Sequence, residues 1–191
     1  MFRLIDSHAH VQFPAYDADR GDVIARALAA GIGIVNVGTQ YATSADAIRL
    51  AELHPESVWA TAGFHPNHLD ASAHHDPQEL NERSTERFDY AKFLELMRHP
   101  KAVAVGECGL DYYRIKNHES GIMERQKEVF KNQIELALEV DKPLVVHCRN
   151  AFGDLIPILD SYFMIHASRP NGVVHFFSGS WEDARRLLGR D

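Results

Sequence analysis

The chain has 191 residues, 45% of them hydrophobic and 25% charged, a globular balance with no low-complexity tract or charge block that would mark disorder. A formal net charge of −7 argues against a protein that coats nucleic acid over its whole surface, which takes a basic face; a local metal-rich site remains compatible, because a dication inverts the field around it. Two cysteines, Cys108 and Cys148, are too few for a disulfide framework, and no apolar run approaches the ~18 residues of a membrane helix.

Val- and Ile-rich runs alternate with longer helical patterns. Phe2–Asp6 is the first run, followed by a predicted helix over Asp19–Ala30 that stops at Gly31. Ile32–Val37 precedes a helix over Ser44–Leu53, with Ser44 as candidate cap and Pro55 beyond its end. Val58–Gly63 leads into a long irregular stretch, Pro66–Ser84, of the length that is usually functional or mobile, and then into a helix over Thr85–Arg98. Ala102–Gly106 precedes the longest helix, Met123–Val140. Pro143–Val146 with Phe152–Phe163, and Gly172–Val174 with Glu182–Leu188, complete the series. The runs lack period-2 polarity, as expected of strands buried on both faces. A strand followed by a helix, six times over, is the sequence form of parallel βαβ units and predicts an α/β fold, a TIM-type (β/α) barrel, in one domain spanning residues 1–191. The N-terminal MFRLIDSHAH has no signal-peptide pattern, so the expectation is a cytoplasmic protein with no membrane association and no obligate protein partner.

The chemistry lies where the runs end. His8 and His10 close the first run, His65 the third, Glu107 the fourth, His147 the fifth and His175 the sixth. Parallel strands of a barrel converge on one mouth at their C-terminal ends, so these side chains are expected to meet there. His8, His10, Glu107, His147 and His175 are the predicted metal ligands. In His8-x-His10, alternation along a strand aims both rings to one side. Imidazole with carboxylate suits zinc, manganese or similar ions, and Glu107 has two oxygens with which to bridge a pair, a common arrangement for phosphoester hydrolysis. His65 stands between a substrate contact and a structural role. Asp6 is a candidate to hold an imidazole, or a turn cap. Arg149 could grip a phosphate, and Tyr112, Tyr113 and Arg114 could stack on bases. Cys108 and Cys148 read as packing residues. His54, His68, His74, His75, His99, His118 and His166 read as solvated.

The stretches IDSHAHVQF, GFHPNH, VGECGLDYYR, PLVVHCRNAF and GVVHFFSGS, in this order, resemble the TatD-type metal-dependent deoxyribonucleases of the amidohydrolase superfamily. The resemblance implies a two-metal phosphodiesterase acting on DNA, often as an exonuclease on single strands. It implies that His8 and His10 hold one ion, that Glu107 bridges, that His147 and His175 hold the second, and that His65 and Arg149 lie near substrate phosphate. Glu107 and His65 are then the catalytic candidates, with His65, Arg149 and Tyr113 as substrate contacts. Two divalent ions (Mg, Mn or Zn) are the expected cofactors and DNA the expected substrate. The family pattern also carries an Asp ligand after its eighth strand, and this sequence has no such segment. Since the barrel uses eight units and about 250 residues, the expectation is a barrel truncated after about six of its eight units, with unpaired first and sixth strands. Amide or lactone hydrolysis at the same site, or an inactive metal-binding fragment, are the alternative functions; the fourth run ends in Glu107 rather than a lysine, which favours the nuclease.

Overall fold

The computed structural model describes residues 2–69, 78–79, 86–113, 115, 120–165 and 171–189. Each Val/Ile-rich run forms a strand: β1 (Leu4–Ala9), β2 (Ile32–Val37), β3 (Val58–Ala62), β4 (Ala102–Asp111), β5 (Leu144–Arg149) and β6 (Gly172–His175). The helices are α1 (Arg20–Ala29), α2 (Tyr41–Leu53), α3 (Tyr90–Met97), α4 (Ser120–Glu139), α5 (Phe152–Ile165) and α6 (Trp181–Leu187). The strands pair in the order β1-β2-β3-β4-β5-β6, every pair parallel, as connections that cross through helices require.

Laid flat, a six-stranded sheet with ~4.8 Å between strands would hold its edges ~24 Å apart. Yet the rings of His8 on β1 and His175 on β6 stack with centroids 3.6 Å apart. The sheet is therefore curled until its two edges nearly meet, and the fold is the β/α barrel arrangement expected.

Strands β1, β4 and β5 run several residues further than sequence propensity suggests, and β6 one residue further. β4 continues from Gly106 to Asp111, so Glu107 lies within it rather than at its end. The ladder with β5 explains this: Cys108, Gly109, Leu110 and Asp111 pair with Val146, His147, Cys148 and Arg149. Glycine is depleted in strands, but at Gly109 (φ +138) a Cβ would overlap the His147 carbonyl oxygen, so close strand approach itself demands glycine there. His147 likewise lies inside β5. β1 extends to Ala9, with an irregular register between Asp6 and Ala9.

Helix α1 stops at Gly31 (φ +74), as its sequence suggests. Helix α2 begins before Ser44. Its first turn is closed by the Thr43 hydroxyl, which accepts the Gln40 N–H (3.1 Å), and by the Glu86 carboxylate, which accepts the N–H groups of Tyr41 (2.8 Å) and Ala42 (3.2 Å). Ser44 is buried inside the helix and accepts the Gly63 N–H instead. Helix α3 starts at Tyr90, because Asp89 caps it by accepting the Lys92 N–H.

The core lies between sheet and helices. Phe93 and Met97 of α3, Phe130 and Ile134 of α4, and Leu155 and Ile156 of α5 are fully buried against β3, β4 and β5. The central strands are covered as expected, but β1 is not: Leu4 is 67% and Ile5 56% exposed. An edge strand has a neighbour on one side only. Among the described residues no helix is long and apolar enough to cross a membrane.

Candidate metal centre

Glu107 sits at the middle of the mouth, 5% exposed, with its backbone N–H donating to the Gly38 carbonyl (2.7 Å). Three imidazoles face it. His8 Nε2 is 3.2 Å from Oε2, while His147 Nδ1 (3.1 Å) and His65 Nε2 (3.6 Å) approach Oε1. Burial alone would raise the Glu107 pKa, but His65, His147 and His8 outweigh it and hold the carboxyl well below its ordinary value. The group is an anion.

Two triads share this carboxylate: His8, Glu107 and His175, and His65, Glu107 and His147. Their hydrogen bonds decide which nitrogens are free to ligate, because a neutral imidazole has one N–H and one lone pair. His10 Nδ1 faces the Val37 carbonyl at 2.8 Å, which can only accept, so Nδ1 carries the proton and Nε2 holds the lone pair. In His147 both nitrogens face carboxylates, which can only accept: Nε2 lies 3.0 Å from Asp111 Oδ2 and Nδ1 3.1 Å from Glu107 Oε1, so both carry protons in the metal-free ring. His65 is the reverse of His10. Its Nδ1 accepts the Asn67 N–H (3.2 Å), which leaves the proton on Nε2, the atom aimed at Glu107. Burial lowers the His65 pKa, keeping the ring neutral. The distances group His65 with the ligands, but its tautomer makes it a hydrogen-bond donor toward the site.

Burial also lowers the pKa of His10 and His175, with the neighbouring His8 adding to both shifts. His147 goes the other way. Burial opposes its charge, but the bonds to Asp111 and Glu107 prevail and push it up to about 9. The donor set fits divalent ions: imidazoles around a buried carboxylate anion, with His10 and His175 kept neutral by burial and His147 carrying a proton that an ion would have to displace. A further sign is His8 Nδ1, a buried polar atom with no hydrogen-bond partner among the described residues.

Helix α4 holds two of the contributing segments. Gln126 and Gln133, seven residues apart, lie on one face of the helix. Gln133 accepts the Phe64 N–H (2.8 Å) and donates to the Phe64 carbonyl (3.0 Å), fixing the segment that carries His65. Gln126 does the same for Asp111, at 2.8 and 3.0 Å. Beside the centre opens a cleft of about 320 Å³, lined by His10, Phe13, Tyr16, Asn67, His68 and Glu79 among others. Glu79 is 7% exposed and is bound by His68 Nε2 (2.9 Å) and by the Thr39 hydroxyl.

Thus the structure brings His8, His65, Glu107, His147 and His175 together, with His10 beside His8 at 5.0 Å between ring centroids. The resemblance groups His147 with His175; in the structure His147 neighbours His65, and His175 neighbours His8. Asp6 does not hold an imidazole: its carboxylate accepts the backbone N–H of His8 (3.1 Å). Arg149 lies over the Tyr113 ring at 3.5 Å, on the exposed rim. Tyr112 donates to Asp154 (2.9 Å) and covers the barrel rather than lining a groove. Cys108 and Cys148 are buried, and burial pushes both thiols up, consistent with packing. His68 is not solvated but paired with Glu79, and His99 pairs with Glu52 (3.1 Å). Arg114, His74, His75, His118 and His166 lie outside the described residues.

Sequence reasoning missed Asp111, Gln126, Gln133 and Glu79. A signal existed for Asp111, since Glu107, Gly109 and Asp111 alternate along one strand. The glutamines and Glu79 depend on contacts between distant segments.

The sequence pattern of the family described as TatD related DNase matches residues 5–191. The chain is 34% identical over 186 residues to the "3'-5' ssDNA/RNA exonuclease TatD" of Edwardsiella piscicida, covering 97% of this chain and 64% of that protein. It is 38% identical over 186 residues to the "Uncharacterized metal-dependent hydrolase YabD" of Bacillus subtilis, covering 97% and 65%. Among solved structures, YJJV, a TatD homolog from Escherichia coli K12, aligns with a TM-score of 0.76 at 29% identity, over 98% of this chain and 65% of that one. A TatD family hydrolase from Entamoeba histolytica shares the fold, with a TM-score of 0.74 at 23% identity, over 98% of this chain and 62% of that one. The chain thus spans 64% and 65% of the length of the two sequence relatives named here.

Proposed function

The chain belongs to the TatD-related DNase family, and on that premise we propose that it is a metal-dependent phosphodiesterase that removes nucleotides from the ends of single-stranded DNA. The observation that carries the proposal is the anionic Glu107 set among imidazoles from separate strands, with a neutral donor, His65, at its side. Relatives named as 3'-5' ssDNA/RNA exonucleases support DNA, with RNA as a second substrate to test.

We assign the ion-holding role to His8, His10, Glu107, His147 and His175, which would hold two divalent ions. Bound there, the ions would offset phosphate charge and supply a deprotonated water at neutral pH. Glu107, buried and anionic, would need no proton removed before it could ligate. Burial keeps the imidazoles of His10 and His175 neutral, as lone-pair donors must be. His65 contributes its Nε2–H, a fixed donor for a phosphoryl oxygen, and its burial keeps it from charging. At the rim, Arg149 backed by Tyr113 meets a neighbouring phosphate or base. The buried thiols fit a reducing cytoplasm.

The test is nucleotide release from 3'-labelled and 5'-labelled single-stranded DNA with Mg²⁺, Mn²⁺ or Zn²⁺. Mononucleotides appearing only with metal are expected. A protein that binds metal yet releases nothing from DNA or RNA, and instead opens hydantoin or lactone rings, would overturn the proposal in favour of amide or lactone hydrolysis.

A further inference from the structure

Asp111 closes β4 two alternating positions beyond Glu107 and is 3% exposed. Every hydrogen-bonding handle it has is taken. Its Oδ2 lies 3.0 Å from His147 Nε2, and its Oδ1 accepts the Tyr113 N–H at 3.0 Å. Its own N–H and carbonyl are held by the Gln126 side chain at 2.8 and 3.0 Å. Gln126 is itself 2% exposed. Asp111 stands in neither candidate ligand triad among the described residues, and the His147 ring lies between it and Glu107. What it can do for the site must therefore pass through His147.

We infer that Asp111 is the positioning residue of the metal centre: its carboxylate holds His147 with the proton on Nε2, so that Nδ1, beside Glu107, is the ligating atom. The physical reason is that a free imidazole exchanges tautomers and spins about its Cβ–Cγ bond, and each costs ligand affinity. An acceptor fixed on the far nitrogen removes both freedoms and raises the basicity of the near one. The device has a chain of supports. Gln126 on α4 fixes the Asp111 backbone, Asp111 on β4 fixes the ring, and the ring on β5 faces Glu107. The inference rests on the proposed ion-holding role of His147.

The experiment compares wild type with Asp111→Asn, which keeps an acceptor oxygen but loses the charge, and Asp111→Leu, which loses both. Zn²⁺ affinity is read by competition with a chromophoric chelator, and folding by circular dichroism. We expect Zn²⁺ binding roughly 10-fold weaker in Asp111→Asn and roughly 100-fold weaker in Asp111→Leu, the range found for such outer partners. Proton NMR supplies a readout that a purely structural role would not move: a low-field His147 Nε2–H resonance present in wild type and absent in Asp111→Leu. Should Asp111→Leu misfold, Asp111→Asn carries the affinity test. Folded variants that bind Zn²⁺ as tightly as wild type overturn the inference. A wild type that binds no Zn²⁺ overturns the ion-holding reading of the site instead, and the Nε2–H resonance of the metal-free protein then decides whether Asp111 orients the ring.

Discussion

The centre has two halves that use the same donor chemistry on different footings. On β3, β4 and β5, both nitrogens of His147 are engaged, Glu107 is 5% exposed, and Gln126 and Gln133 clamp the adjoining backbone. On β1 and β6, His8 Nδ1 has no partner among the described residues, His175 leans on the His8 ring, and β1 is exposed at Leu4 and Ile5. A ligand already held in its binding geometry gives up little entropy when an ion arrives; one on an open edge must first be ordered. On the proposed ion-holding reading, the central half would receive an ion with its donors already held, and the edge half would be ordered by one.

The comparison can be broken in several places. The largest effect belongs to Glu107, which both halves share. Glu107→Ala should leave no ion detectable by elemental analysis and no nuclease activity; an ion retained by either half would show that the halves do not depend on a common anchor. Next comes hydrogen exchange. Amides of β1 should exchange orders of magnitude faster than those of β4 and β5, because edge strands open locally while the core opens only with the whole fold. Equal protection would remove the distinction. Third, calorimetric titration should resolve two binding steps roughly 10- to 100-fold apart, the interval typical of outer-partner support. His147→Ala should remove the tighter step and His175→Ala the weaker; the opposite assignment would reverse the ranking of the halves.

A smaller and sign-specific effect comes with pH in the metal-free protein. His147 is raised from 6.5 to about 9 by its two carboxylate neighbours against the pull of burial, so its contribution to stability is complete below about pH 6.5 and fades as pH climbs to about 9. Glu107 and Asp111 are lowered, so theirs is present above the ordinary carboxylate range and is lost in acid. Thermal melts should therefore weaken on the alkaline side, and His147→Gln should remove that limb. For the same reason metal affinity should rise with pH toward 9, since an ion must displace a proton from His147. The smallest change expected is Arg149→Ala at the rim. An exposed cation–π stack is worth about 0.5–1 kcal/mol, so KM for DNA should rise only a few-fold with kcat preserved.

Much of the scaffold was legible from residues alone. The run at Ile32–Val37 coincides with β2 and that at Val58–Gly63 ends one residue beyond β3, because hydrophobic runs bounded by turns have few other fates. The extent of β4 was not, since Gly106 and Gly109 weaken any local strand signal and only pairing with β5 reveals their use. The cap of α2 was misplaced at Ser44 for a related reason: Glu86, 45 residues from Tyr41, supplies acceptors that no local window contains. His68 looks solvated in the sequence because its partner Glu79 becomes a neighbour only in the fold.

The order of β and α segments, and the delivery of His8, His10, His65, Glu107, His147 and His175 to one mouth, follow from sequence, because parallel strands bring their C-terminal ends together wherever their side chains point. Which nitrogen of His10 and of His65 holds the lone pair, and the placing of Asp111 behind His147, were decided only by the tertiary structure. A tautomer is set by the atom facing the other side of the ring, and that atom belongs to a different strand or turn: Val37 for His10, Asn67 for His65.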